Sequence, residues 1–296
     1  MGFESRNKIT NKDSRTAIRW VQSSLEESGI DEAQLQSELL VFHVLSCSRE
    51  EFLAQPNKIL TYAQSNHLKG LTSRRCNREP LAYILEEREF FNKGITVNPS
   101  VLIPRPETET LVEQALLWLS TQPKPGKRFK VTDVGTGSGC IALSLSNQTI
   151  PIQLIATDIS LPAIRVARTN FQRYDASHSI QLIQSDLLSP FSFPIDLILG
   201  NLPYLPDDSI LTLEPEIRDH EPLIALKGGP NGTELNLKLL AQAKILLNSP
   251  GAVILEIDPE QGKTMAHAAQ ILFPNGRISI TKDLAGLDRV ITIETL

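Results

Sequence analysis

Several things are scarce in this sequence, and each shortage excludes something. Cysteine occurs three times in 296 residues, as Cys47, Cys76 and Cys140, an odd and scattered set. That excludes a disulfide framework and the paired spacing of a zinc site, and it fits reduced thiols in the cytoplasm. The five histidines, His43, His67, His178, His220 and His267, show neither paired metal spacing nor a nearby cysteine partner, so no metal site is expected. No apolar run approaches the ~20 residues needed to cross a bilayer. The start, Met1 to Asp13, is polar and has no apolar stretch followed by a cleavage site, so a signal peptide is not expected. An excess of positive charge is also missing: 29 Lys and Arg stand against 34 Asp and Glu, a net charge of −5. Phosphate recognition needs clustered basic residues, which argues against nucleic acid as a direct partner. The run Lys69, Arg74, Arg75 and Arg78 reads first as a solvated helix face.

What is present belongs to a folded protein. The 41% hydrophobic and 21% charged content can build a sizeable core, as one large domain with a small one or as two ordinary domains. From Ser14 to about Arg78 the period is helical, with Ile18, Val21 and Leu25 on one face and Leu35, Leu39 and Phe42 on another. Gly29 followed by Asp31 reads as one helix ending and the next being capped. Ser48 with Glu51, and Thr61 with Gln64, have capping-box spacing. Residues 1–85 therefore form a bundle of four or five helices, either a substrate-docking domain or a packing appendage. Residues 86–103 change period around Gly94 and Pro99 and read as a linker hairpin. Residues 104–296 form a third section. In it Pro104 and Pro106 open a helix with a Leu111, Ala115, Leu119 stripe.

Beyond Phe129 short β-rich runs alternate with helical stretches. The strand candidates are Lys130 to Val134, Gln153 to Thr157, Ile180 to Gln184, Asp196 to Gly200 and Ala252 to Ile257. Arg277 to Thr281 and Arg289 to Glu294, joined across Ala285-Gly286, read as a terminal antiparallel hairpin. The fold class is α/β: a Rossmann-like, mostly parallel seven-stranded sheet preceded by the helical bundle.

Two segments carry chemistry. Val134-Gly135-Thr136-Gly137-Ser138-Gly139 runs from a strand through a glycine turn into a helix, and lets a ligand approach backbone amides that a β-carbon would shield. Asp158 ends the next strand, where an acid can reach ribose hydroxyls or cap the helix starting near Ser160. Asp133, inside the first strand, needs a partner if buried. Holding the glycine loop and touching a cofactor are both open to it. The second segment is Asn201-Leu202-Pro203-Tyr204, an amide, a backbone carbonyl, a stiff proline and an aromatic ring at the end of a strand, where open α/β sheets bind ligands.

Together the two segments resemble the adenosylmethionine-dependent methyltransferases acting on amide or exocyclic nitrogens, whose usual form of the second is Asn-Pro-Pro-Tyr. The order of Pro104-Arg105-Pro106-Glu107-Thr108-Glu109, the glycine turn, Asn201 to Tyr204, Glu221-Pro222-Leu223, Gly228-Gly229-Pro230-Asn231-Gly232, Glu256-Ile257 with Gln261-Gly262, and Asp288-Arg289-Val290 is similar to one family. It resembles the peptide chain release factor glutamine methyltransferases. The chain departs from their pattern at Leu202, Glu86 and Phe91.

The resemblance implies S-adenosyl-L-methionine as cofactor and class I peptide chain release factors as partners, methylated on the glutamine amide of their Gly-Gly-Gln motif. It implies donor contacts at Gly135, Thr136, Gly137, Ser138, Gly139, Asp158 and Asn201, with Asp186 beside the adenine and Leu187 on its ring. Asn201 and the carbonyl of Leu202 would take the two amide hydrogens, next to Pro203. Tyr204 would pack over the amide or in the core, and Arg105 would lie over the channel to the substrate. Glu107 and Glu109 suit the first turn of a helix by charge. A cytoplasmic monomer is expected. The alternatives are an adenine-specific nucleic-acid methyltransferase, which lacks its basic groove here, and a binding protein weakened in turnover by Leu202.

Overall fold

The computed structural model describes residues 12–122, 128–146 and 150–295. The polar start lies outside them, apart from its last two residues. The chain divides into two compact units.

The first unit runs to Glu86 and also takes in the short helix Pro215–His220. It contains five further helices, Ser14–Glu27, Ala33–Leu45, Arg49–Ala54, Tyr62–Cys76 and Leu81–Leu85. Both capping boxes form, with reciprocal bonds between Ser48 and Glu51 and between Thr61 and Gln64. Val21 and Leu25 are buried against Leu40, Val41, Leu68 and Leu71.

Two expectations fail in this unit, and a third holds on an unexpected side of its helix. Asp31 caps nothing: Glu32, in a left-handed conformation, precedes the second helix without a side-chain cap. Leu35 and Leu39 do share a face, but it is an exposed one, because Leu40, Val41 and Val44 supply the buried side. The basic run is not simply solvated either. Arg75 is buried, donating to Gln36 Oε1 at 2.7 Å and reaching Glu216 at 3.2 Å. Arg78 pairs with the same Glu216 and with the carbonyls of Ser28 and Gly29.

The second unit, Glu87–Glu214 with Glu221–Leu296, opens with the hairpin of Glu87–Phe90 and Lys93–Thr96. Phe91 and Asn92 both have positive φ, the turn form that matches strand twist. A seven-stranded sheet follows, with strands β1 Phe129–Val134, β2 Ile152–Asp158, β3 Ile180–Gln184, β4 Ile195–Gly200, β5 Leu247–Glu256, β6 Arg277–Lys282 and β7 Asp288–Thr295. Their order is β3-β2-β1-β4-β5-β7-β6, parallel except for β7, which runs antiparallel to both of its neighbours. This is the Rossmann-like arrangement with the expected terminal hairpin. The order reverses between β1 and β4, and the crevice at such a switch point is where open sheets bind ligands.

Register sets what meets at that crevice. Val134 is paired with Thr157 and Gly200, Asp158 with Gln184, and Gly200 with Leu255. The residues just past or at the strand ends therefore line up as Asp158, Gly135, Asn201 and Glu256. The runs Leu197 to Leu199 in β4 and Ala252 to Leu255 in β5 are fully buried apolar residues, as a sheet covered on both faces requires.

Candidate active site

A cleft of about 400 Å³ lies over these strand ends, within the range of about 300–1,000 Å³ usual for small-molecule sites. Gly135 to Ser138, Asp158, Asp186, Leu187 and Asn201 to Pro203 all line it, so the chain brings together most of the residues named from sequence. Gly139, Tyr204 and Arg105 do not line it.

The three glycines have three different reasons. A β-carbon on Gly135 would stand 2.7 Å from Leu202 Cδ2, and one on Gly139 would stand 2.6 Å from the Phe171 ring. Only Gly137, at φ +55°, has open space beside it, on the wall of the cleft. The turn is pinned on all sides. Thr136 N–H donates to the Thr157 carbonyl at 2.8 Å, and the buried Asn170 side chain donates to the Ser138 carbonyl while bonding the backbone of Thr96 in the hairpin.

Asp133 holds this loop. Its Oδ2 accepts from the Thr136 hydroxyl at 2.6 Å and the Ala142 N–H at 3.2 Å, and burial pushes its pKa up to about 6. It is not part of the cleft wall, so of the two roles open to it the structural one is observed. Asp158 accepts from Gly137 N–H at 2.9 Å through one oxygen and from Ser160 N–H at 2.8 Å through the other. The helix Leu161–Arg173 is capped by Ser160, whose hydroxyl takes the Ala163 N–H, so the capping role expected of Asp158 belongs to Ser160. A carboxylate can accept more than these two bonds, and Asp158 lines the cleft. Burial raises its pKa. Asp186 is half exposed and pairs with Lys238 at 2.6 Å. Leu187 is buried at φ +50°, an unusual conformation for a residue with a β-carbon. Ile159, more than half exposed, and Ile224 add apolar wall that sequence reasoning missed. Its one signal was a large aliphatic residue directly after a strand-end acid.

At the other end, Asn201 Nδ2 donates to the Thr108 hydroxyl at 3.0 Å. Leu202 is buried and fills the space that Gly135 leaves. The Tyr204 hydroxyl donates to Glu256 Oε1 at 3.3 Å, and the Tyr204 carbonyl accepts from Gln261 Nε2 at 2.8 Å. A β-carbon on Gly232 would collide with that carbonyl, which gives the glycine at φ +76° its reason. Glu256 is buried, and burial pushes its pKa up to about 7, opposed by the nearby Thr108 hydroxyl and by the Arg289 charge. Its Oε2 has no hydrogen-bond partner. Arg105 donates to Glu221 Oε1 at 2.5 Å, and Glu221 also accepts from Ile103 N–H, a clasp between the segments on either side of the cleft. Glu109 accepts from Phe91 N–H at 2.8 Å at the start of the helix Glu109–Thr121.

Family models match in two places: a PrmC N-terminal domain over residues 16–85 and a methyltransferase small domain over residues 113–212. The release factor glutamine methyltransferase of Nitratidesulfovibrio vulgaris is 36% identical over 93% of this chain and 92% of that protein. The chain belongs to the release factor glutamine methyltransferase family. A second member, from Thermodesulfovibrio yellowstonii, is 37% identical over 88% of this chain and 91% of its own length. Among solved structures, the hMettl16 catalytic domain in complex with MAT2A 3'UTR hairpin 1 covers 87% of this chain and 91% of its own, with a TM-score of 0.55 and 13% identity, a likeness of fold alone. Family membership makes S-adenosylmethionine the donor. The cleft fits it: open space beside Gly137, an acid on the wall at Asp158, and apolar walls at Ile159 and Leu187 for a flat base. Among the described residues no group of acidic, histidine and cysteine side chains could hold a metal, and no helix is long and apolar enough to cross a membrane.

Proposed function

We propose that this chain methylates the glutamine side-chain amide in the Gly-Gly-Gln motif of class I release factors. The observation that carries this, beside family membership, is the tether on Asn201. With Nδ2 committed to Thr108, Oδ1 is left as an acceptor on the cleft wall. Asn201 Oδ1 and the Leu202 carbonyl can then take the two hydrogens of a primary amide and turn its nitrogen toward the donor. The amide lone pair is delocalised, so orientation has to supply much of the rate. S-adenosylmethionine supplies an electrophilic methyl group. Gly137 and Asp158 hold its polar end, and Leu187 with Ile159 borders the base. No residue is required as a base before transfer, because a cationic product nitrogen sheds its proton readily.

Release factors act where translation ends, so the site of action is the cytoplasm. The helical unit is read as the docking module for that partner, and the protein as a monomer. Incubation with labelled donor and either a release factor or adenine-containing DNA is the test. Label in the release factor, lost when its motif glutamine is replaced, is expected; label in DNA alone overturns the reading.

A further inference from the structure

Gln261 does not line the cleft. It is buried at the end of the short turn Pro259–Gln261, which packs against β7, and both ends of its side-chain amide are committed. Its Oε1 accepts from Asp258 N–H at 3.3 Å, and its Nε2 donates to the Tyr204 carbonyl at 2.8 Å. A backbone N–H can only donate and a backbone carbonyl can only accept, so these two partners fix which end of the amide faces the reacting loop. The other side of the same peptide is held as well: Leu205 N–H donates to the Leu226 carbonyl at 3.1 Å. Two glycines bring backbone up close behind it. A β-carbon on Gly228 would stand 2.5 Å from the Pro203 carbonyl, and one on Gly232 would stand 2.8 Å from Gln261 Nε2.

The Leu202 carbonyl thus lies between two anchors. On one side are Gly200 in the sheet and Asn201 on Thr108; on the other is the Tyr204–Leu205 peptide, held by Gln261 and Leu226. Pro203 between them has a fixed φ, so few free torsions separate the carbonyl from the second anchor. We infer that Gln261 is a positioning residue for methyl transfer: by donating to the Tyr204 carbonyl it holds the reacting loop in the form that aims the Leu202 carbonyl at the substrate amide. This rests on the amide-methylation reading above. Gln261 is off the cleft wall and acts through the loop. A glutamine suits the place because one end must accept from Asp258 while the other donates to Tyr204, and an ionised carboxylate of the same shape can do only the first.

The isosteric change Gln261→Glu makes this testable by pH. Protonated, the introduced acid can still donate to the Tyr204 carbonyl; ionised, it cannot, and it sets a negative charge against that oxygen. The charged groups on the elements around it are Asp258 and Glu260 on its own turn, Glu256 on β5, Asp288 and Arg289 on β7, and Lys227 and Glu234 flanking the glycine loop. Carboxylates dominate this set, and burial acts in the same direction, so the introduced acid should keep its proton to a higher pH than a free glutamate. In the full chain with saturating release factor, Gln261→Glu should transfer methyl about tenfold more slowly than the parent at pH 8, the scale expected when an orienting group is misplaced. The ratio of variant to parent rate should climb toward one as pH falls to 6, with donor affinity within twofold throughout. Gln261→Met, which cannot donate at any pH, should be slow over the whole range. A loss of packing alone would slow both variants with no recovery in acid.

A second readout needs no substrate. The chain has a single Tyr-Leu pair, so isotope labels on tyrosine carbonyls and leucine amides give one NMR signal that joins them, from the Tyr204–Leu205 peptide. That signal should shift in Gln261→Met and titrate in Gln261→Glu in step with the rate. Label entering DNA in place of release factor, with the same recovery of Gln261→Glu in acid, sinks the functional reading and leaves this one standing. Parent-like transfer by Gln261→Glu at pH 8, or a Tyr204 carbonyl signal unmoved in both variants, overturns the inference.

Discussion

The two ends of the cleft hold their polar groups by different kinds of bond. At the donor end the acids are tied mainly to backbone: Asp158 to the N–H groups of Gly137 and Ser160, and Asp133 to the N–H of Ala142 and the Thr136 hydroxyl. At the reacting end the links run from side chain to side chain, except that Gln261 Nε2 donates to the Tyr204 carbonyl, and two of the linking groups are hydroxyls. A backbone N–H can only donate, so the donor end has its polarity built into the chain. A hydroxyl can donate or accept, so the polarity of the reacting end is not built into the backbone in the same way. Donor binding should therefore tolerate small side-chain changes near the reacting end, whereas transfer should not.

Asp158→Ala should break this comparison hardest. It removes a charge-assisted bond to the turn at Gly137 and another to Ser160 N–H as well as the ribose acceptor, at about 1.5–3 kcal/mol for each bond to a charged group. Donor affinity should fall a hundredfold or more by calorimetry. An unchanged affinity would show that the turn holds itself and that Asp158 does not face the donor. Asn201→Ala should act oppositely. One substrate hydrogen is left unpaired, costing about 1–3 kcal/mol, or roughly ten- to a hundredfold in single-turnover rate, while donor affinity stays near that of the parent. Loss of both together would erase the distinction between the ends.

Stability against pH is a third and smaller measure. Asp133 and Glu256 have folded pKa values raised by burial to about 6 and about 7. Acids shifted upward contribute stability that is complete below their unfolded values and is lost as pH rises through the folded ones. Unfolding free energy should therefore fall between pH 5 and 8, by on the order of 1–2 kcal/mol. Carboxylates with lowered values, such as Glu79 and Asp283, lose their contribution only in more acid solution and leave this window alone. Denaturant titrations of the parent and of Glu256→Gln across that range would check it: the upper part of the fall should vanish in the variant. A flat parent curve would mean that Glu256 is already solvated.

Much of the donor end was legible in the sequence because it is local. A strand, a glycine turn and an acid at the next strand end follow one another within about a βαβ unit, and backbone chemistry assigns their roles. The reacting loop was legible as Asn201 to Tyr204. Its support was not, since Thr108 and Glu256 lie 93 and 52 residues from the groups they bond, and only the pairing of Gly200 with Leu255 places Glu256 beside Asn201. The Arg105–Glu221 clasp spans 116 residues for the same reason. Arg105, expected over the substrate channel, is taken up by an acid that periodicity could not reveal. Helix faces misled where both sides were apolar: Leu35 and Leu39 repeat as regularly as Leu40 and Val44, and only packing separates them.

Leu202→Pro should give the smallest effect and sharpen the comparison most. The carbonyl that would take a substrate hydrogen is kept, and a proline there narrows the unfolded ensemble by about 0.4–1 kcal/mol. Against this, Leu202 is buried, and its methyl group fills the space beside Gly135, where proline cannot reach. Losing that packing costs about 1–2 kcal/mol, toward the low end for truncating a buried aliphatic side chain. The balance is a slightly less stable protein, with a melting temperature lower by a few degrees and a transfer rate within about twofold of the parent. Leu202→Ala, which loses the packing and gains no stiffness, should be the less stable of the two at a similar rate. If Leu202→Pro instead abolishes transfer while donor still binds, the leucine side chain is what holds the carbonyl in place. The contact between Leu202 and Gly135 would then couple the two ends, and the reacting loop of this chain would differ in shape from the Asn-Pro-Pro-Tyr form.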